Sequence, residues 1–305
     1  MDELQAAIYQ ATCFYEDAER FNYDITFPEL QFSKGERNYN RILSRLKKLN
    51  LPNPLLFKYT TLTIDELKEY LVSLLTKILG PEYTEEITRY NTLLMARNIS
   101  NPFDSVIETN LDGKEPVIES IYVSNKFYSI QVASTAHEYV HGLLNKYNQH
   151  DYNRILTNIH YKELLSILIE YIICYELSEL FKEDYLQEKH DIIRLHVNKQ
   201  HASEHESSEL LLRNIQAIPP ILAQQYKLYI AYENHSSFGY ITSDIYATRL
   251  FEHFKDDPKT LLLFIKRIID GEKSIKELLK HYNIALNNSD TFASYNKRLD
   301  NIPKL

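Results

Sequence analysis

Glycine and proline are scarce in this chain, with 6 and 10 among 305 residues. Tight turns and flexible linkers draw on those two residues, so a many-stranded β architecture and long linkers are both disfavoured and a helical protein is expected. Cysteine is scarcer still. Cys13 and Cys174 are the only two, too few for a disulfide framework or a thiolate zinc site. Cys174 falls in an apolar run and reads as a small core residue. Tryptophan is absent while tyrosine reaches 24; a tyrosine packs its ring and still donates a hydrogen bond, so the surplus identifies no function by itself.

Long apolar runs are missing too. No stretch approaches the roughly 20 residues needed to span a bilayer, and the opening MDELQAAIYQ lacks the basic start and apolar centre of a secretion signal. A cytoplasmic protein away from the membrane is the expectation. Lysine and arginine form no block, and the formal net charge is −8, so nucleic acid is not an expected partner. What remains is an ordinary globular balance, 44% hydrophobic and 25% charged. The length suffices for one large domain, or two closely packed ones.

Helical periodicity dominates the chain. Residues 2–20 and 34–49 read as helices; in the second, Tyr39, Ile42, Leu43, Leu46 and Leu49 recur at helical spacing behind a Ser33–Glu36 capping box. Thr63 and Glu66 form another such box before Leu67, Tyr70, Leu71, Leu74, Leu75 and Ile78, and Gly80-Pro81 stops that helix. Val117, Ile118, Ile121, Tyr122 and Val123 favour an extended chain and make 116–123 the best strand candidate. Helices are predicted over 129–148 and, almost continuously apolar, over 160–181. The polar run KQHASEHESSE at 199–209 reads as an exposed loop or a solvated helix marking a hinge, and 234–239 reads as a turn.

The chemistry lies in Ala136-His137-Glu138-Tyr139-Val140-His141. On a helix, His137 and His141 stand one turn apart on one face and can hold one zinc ion together. Glu138 then sits beside the fourth coordination position, placed to take a proton from water there. With 11 histidines and 42 acidic residues, chance would produce such a pattern in at most about 5% of chains of this composition. The competing reading makes Thr135 and Glu138 a capping box and leaves the histidines without a metal.

Downstream, Glu163, Ser166 and Glu170 are the only polar residues in a run of bulky aliphatics, at i, i+3 and i+7 on one helix face. Buried carboxylates need a cationic partner, which a metal with its histidines supplies; the alternative is a solvated helix edge. Glu163 follows His141 by 22 positions (163 − 141), room for a loop and an antiparallel return. Glu163 is therefore the third candidate ligand, with Glu170 placed to hydrogen-bond a ligating histidine, although the two roles are exchangeable at this stage. The other histidines, His190, His196, His201, His205, His253 and His281 among them, read as surface or packing residues.

Together, TAHEYVHGLL, ELLSILIE and HSSFGY resemble the thimet oligopeptidase and oligoendopeptidase F family of zinc metallopeptidases, the gluzincins. The resemblance covers about 51–301, leaving 1–50 as additional amino-terminal helices of a single catalytic domain. It implies a mainly α-helical fold with a small β element lining the cleft, and zinc held by His137, His141 and Glu163. It further implies Glu138 as general base, His235 and Tyr240 as substrate and oxyanion contacts, and Tyr246 as a third candidate in that role, one position off the family's pattern. Short peptides are the implied substrates. Val140 replaces the family's glycine, and the chain lacks most of the family's amino-terminal half, which implies a more open cleft or one covered by a partner subunit. The rival expectation is a peptide-binding or regulatory protein on the same fold that cuts nothing. Sequence leaves the oligomeric state open.

Overall fold

Two largely buried helices organise the fold. The computed structural model describes residues 36–97, 103, 105–110, 117–124, 127–148, 163–182, 186–213, 237, 239–286 and 289–302. The described chain is mostly helical. In order it runs α1 (Glu36–Lys48), β1 (Thr61–Leu62), α2 (Ile64–Leu79), α3 (Thr84–Leu93), β2 (Leu94–Ala96), β3 (Ser105–Asn110), β4 (Val117–Val123), β5 (Phe127–Tyr128), α4 (Gln131–Tyr147), α5 (Leu164–Phe181) and α6 (Leu186–Arg213). A helix over 239–254 (α7), then α8 (Pro258–Ile269), α9 (Ile275–His281) and α10 (Ser289–Asp300) complete it. The helix expected over 2–20 and the Ser33 cap lie outside the described residues.

The chain divides into two compact units, one formed by 1–49 and 196–242, the other by 50–195 and 243–305. In the first, α1 buries Tyr39, Ile42, Leu43 and Leu46, the face its periodicity predicts, and Lys199 Nζ donates to the Leu49 carbonyl at 2.7 Å. The polar run at 199–209 is helical throughout, inside α6. It contains no glycine or proline to break a helix, and Ala202 within it is buried. Within the stretch read as a turn, Ser237 and Gly239 are helical as well.

The second unit carries the candidate site. Thr63 caps α2 in a full capping box with Glu66, and Gly80, at a φ of 121°, ends it; that left-handed backbone favours a residue without Cβ. The predicted strand is β4, central in a three-stranded sheet of order β2-β4-β3, parallel to β2 and antiparallel to β3. β1 and β5 form a separate antiparallel pair. Helix α4 packs against α2, α3, the β3–β4 strands, α8 and, most extensively, α5. Every residue of α5 from Leu164 to Cys174 is buried, as a helix apolar on all sides requires. Ile167, Leu168, Ile169 and Ile173 have no exposed surface, and burial of each contributes roughly 1.5–3 kcal/mol.

Among the described residues no helix is long and apolar enough to cross a membrane.

Candidate metal centre

Helix α4 begins after Ile130 without a side-chain cap. Thr135 is fully buried in its second turn, where its hydroxyl meets Ser105 Oγ at 3.0 Å. The capping-box explanation of Thr135 and Glu138 is therefore excluded, because neither stands at the helix start. His137 and His141 share the face turned to α5, their ring centroids 4.9 Å apart. Helix α5 is described from Leu164, with Glu163 at its N-cap position; residues 160–162, where the sequence placed its start, lie outside the described residues. There the Glu163 N–H donates to Ser243 Oγ of α7 at 3.2 Å.

Three donor atoms converge. His137 Nε2 and His141 Nε2 lie 3.1 and 2.9 Å from Glu163 Oε2, and 3.1 Å from each other. Ser166 Oγ adds a fourth polar atom, 3.3 Å from His141 Nε2. Glu170 pairs with His137 Nδ1 through its Oε1 and with His190 Nε2 through its Oε2, at 2.7 Å. Since His141 meets the first turn of α5 and His137 meets Glu170 as well, the two helices run antiparallel. Glu163, Ser166 and Glu170 are all at most 4% exposed, so the stripe is no solvated edge.

A cation fits this arrangement. Tetrahedral zinc with bonds of 2.0–2.1 Å sets its ligand atoms about 3.3 Å apart, close to the observed triangle. A carboxylate facing His137 Nδ1 places the proton on that nitrogen and leaves the Nε2 lone pair aimed at the centre. Lone pairs facing one another repel unless a positive charge lies between them. His137, His141 and Glu163 could thus hold a metal ion. Burial alone would depress the His137 pKa, but Glu170 and Glu163 outweigh it and push it up to about 10. The surroundings favour positive charge on this ring, whether a proton or a metal supplies it. Burial would likewise raise Glu170, yet Arg194 and His137 hold it well below the usual carboxylate range. Glu138, half-buried between the histidines, is raised by its low-dielectric surroundings despite the two imidazoles.

Of the residues singled out in the sequence, His137, His141, Glu163 and Glu170 come together, with Glu138 beside them. Glu163 and Glu170 separate into distinct places, the first facing both Nε2 atoms and the second facing Nδ1. Tyr246 is buried in the same unit. Tyr240 belongs to the other unit, where its ring stacks on His201 at 4.6 Å with a 10° tilt, and His235 lies outside the described residues. His190, read from its spacing as a surface or packing residue, is 3% exposed and hydrogen-bonded to Glu170. Arg194, one turn on, brings Nη1 to 3.6 Å from Glu170 Oε1. The signal that points to them is the buried carboxylate itself, which requires a cation or donor, and His190 and Arg194 at i and i+4 in one helix are such a pair.

Val140, where the resembling family has glycine, is fully buried in α4. Val140→Gly removes that burial and adds about 1 kcal/mol of helix penalty, so it should destabilise the chain by roughly 2–4 kcal/mol. The denaturation midpoint falls accordingly while metal content stays unchanged. A variant as stable as the parent would show that the valine packs nothing.

No protein-family model and no curated protein sequence matches this chain. The fold is similar to the crystal structure of a protein from Bacillus anthracis str. Ames provisionally assigned as an oligoendopeptidase F, with a TM-score of 0.54 and 16% identity over 98% of this chain. The match spans 57% of that protein's chain. At this identity the likeness concerns the fold.

Proposed function

We propose that this chain is a zinc-dependent peptidase acting on short peptides. The observation that carries the reading is the convergence of His137, His141 and Glu163 on one point, with Glu138 on the same helix between the two histidines. The fold of the oligoendopeptidase-like structure supports it in kind. A zinc ion bound there supplies Lewis-acid polarisation of a carbonyl and makes water acidic enough to react near neutral pH.

The chain's own residues divide the remaining work. His137, His141 and Glu163 hold the ion, and Glu170 fixes the ring orientation and tautomer of His137. Glu138 accepts the proton that water loses on attacking the peptide carbonyl and passes it to the departing amine. A raised pKa suits the first half of that role, because it makes the carboxylate a stronger base toward the attacking water. Charge developing on the carbonyl oxygen calls for a hydrogen-bond donor. Tyr240 and His235 are proposed for it on the family resemblance, with Tyr246 as the third candidate.

The test is digestion of a quenched-fluorescence library of short peptides by the full chain. Cleavage that a chelator abolishes and added zinc restores is the expected result. A protein that binds zinc and library peptides but cuts none would replace this reading with that of a peptide-binding protein.

A further inference from the structure

Glu170 is a carboxylate set into an apolar helix at 4% exposure, and both its oxygens are occupied. Oε1 faces His137 Nδ1, with Arg194 Nη1 at 3.6 Å. Oε2 faces His190 Nε2 at 2.7 Å. His190 and Arg194 lie on one face of α6, a turn apart, and are 3% and 6% exposed. The His190 ring is braced edge-on against Tyr171, with centroids 5.3 Å apart at 83°, and Tyr171 in turn donates to Asp244 Oδ1 at 2.8 Å.

What these two side chains leave unsatisfied indicates their purpose. Among the described residues His190 Nδ1 has no hydrogen-bond partner, and neither have Arg194 Nε and Nη2. Burying such groups is costly, and for His190 a hydrogen bond to Glu170 is set against that cost. A pair of residues present only for packing would be served better by apolar side chains. A ring proton on Nε2 lets His190 donate to the carboxylate it faces.

We infer that His190 and Arg194 are positioning residues of the metal centre: they fix the Glu170 carboxylate in place and orientation, and Glu170 in turn holds His137 with its Nε2 lone pair directed at the metal. The chain of contacts runs from α6 through α5 to α4. Without His190, one Glu170 oxygen is free to swing, and the His137 ring loses the fixed acceptor that sets its tautomer. The inference rests on the metal-centre part of the proposed function and is independent of peptide cleavage.

Two amides separate positioning from simple occupancy. Glutamine places its amide nitrogen near the position of His190 Nε2 and can still donate to Glu170, whereas asparagine places it near Nδ1 and falls short. The metal-free full-length chain is titrated with zinc against a chelating indicator, and with cobalt followed by its visible ligand-field bands. His190→Gln should bind zinc within about threefold of the parent, while His190→Asn loses about 10–100-fold and shifts the cobalt bands. Equal affinity of His190→Asn and the parent overturns the inference. So does equal loss in both amides in step with a lower melting temperature of the metal-free chain, since that is structural damage alone. If His190→Asn does not fold, Arg194→Met against Arg194→Lys decides on the same readouts, with only the methionine expected to lose affinity, about tenfold. Glu163→Ala tests the underlying centre separately: if it binds zinc as the parent does, the metal-centre reading fails before the role of His190 arises.

Discussion

Glu138→Gln is expected to slow peptide hydrolysis by about 10²–10⁴-fold, the usual contribution of a positioned proton-transfer group, while the purified variant retains its full complement of metal. The two halves of this result follow from different atoms. His137, His141 and Glu163, whose donor atoms lie within 4.8 Å of one another, could hold a metal ion, and Glu138 is outside that set. Glutamine keeps the length and shape of glutamate but cannot accept and return a proton. Elemental analysis and kcat/KM on a cleaved library peptide measure the two quantities in one preparation. Retention of more than about a tenth of the parent kcat/KM would mean that Glu138 is not the base, because loss of a general base cannot be so mild. Loss of metal in the same variant would instead show that Glu138 helps to build the site.

Much of this centre was legible in the sequence because its spacing is local. His137 and His141 repeat at one helical turn, and Glu163, Ser166 and Glu170 stand out as polar positions in an aliphatic run. The strand at Val117–Val123 and the Thr63 capping box are local for the same reason. What sequence could not fix was which carboxylate faces which nitrogen. That depends on the stagger between α4 and α5, set by how their apolar side chains interlock. His190, Arg194 and Ser243 were missed because their roles are purely tertiary. Each meets a partner 20 to 80 positions away, and no periodicity records such a pairing. The helical stretch at 199–209 was ambiguous because a polar helix shows no buried face to read.

Asp244 is where the largest loss of stability is expected. It has no exposed surface, and three groups converge on it: Tyr171 Oη donates to Oδ1 at 2.8 Å, Tyr295 Oη to Oδ2 at 3.0 Å, and Arg298 Nη1 to Oδ2 at 2.8 Å. The carboxylate ties α5, α7 and α10 together. Asp244→Ala removes an acceptor from both hydroxyls and leaves Arg298 with Asp191 as an acidic partner, at 2.9 Å. Removal of one side of a buried ion pair costs about 3–5 kcal/mol, seen as a lower denaturant midpoint at neutral pH.

The pH dependence gives this prediction its sign. Burial would raise the Asp244 pKa, but Arg298, Arg194 and the tyrosine hydroxyls outweigh it and hold it below the ordinary 3.8. A carboxyl whose folded pKa is depressed stabilises the fold above its unfolded value, and that contribution is lost as pH falls through the folded one. The gap between parent and Asp244→Ala should therefore be full at pH 5–8 and narrow below 3.8. A gap constant across that range would show that the carboxylate's charge contributes nothing. Because Ser243 receives the Glu163 N–H and is the neighbour of Asp244, the same variant should also bind zinc more weakly. Loosening this segment of α7 removes the anchor of a metal-holding carboxylate without touching the carboxylate itself.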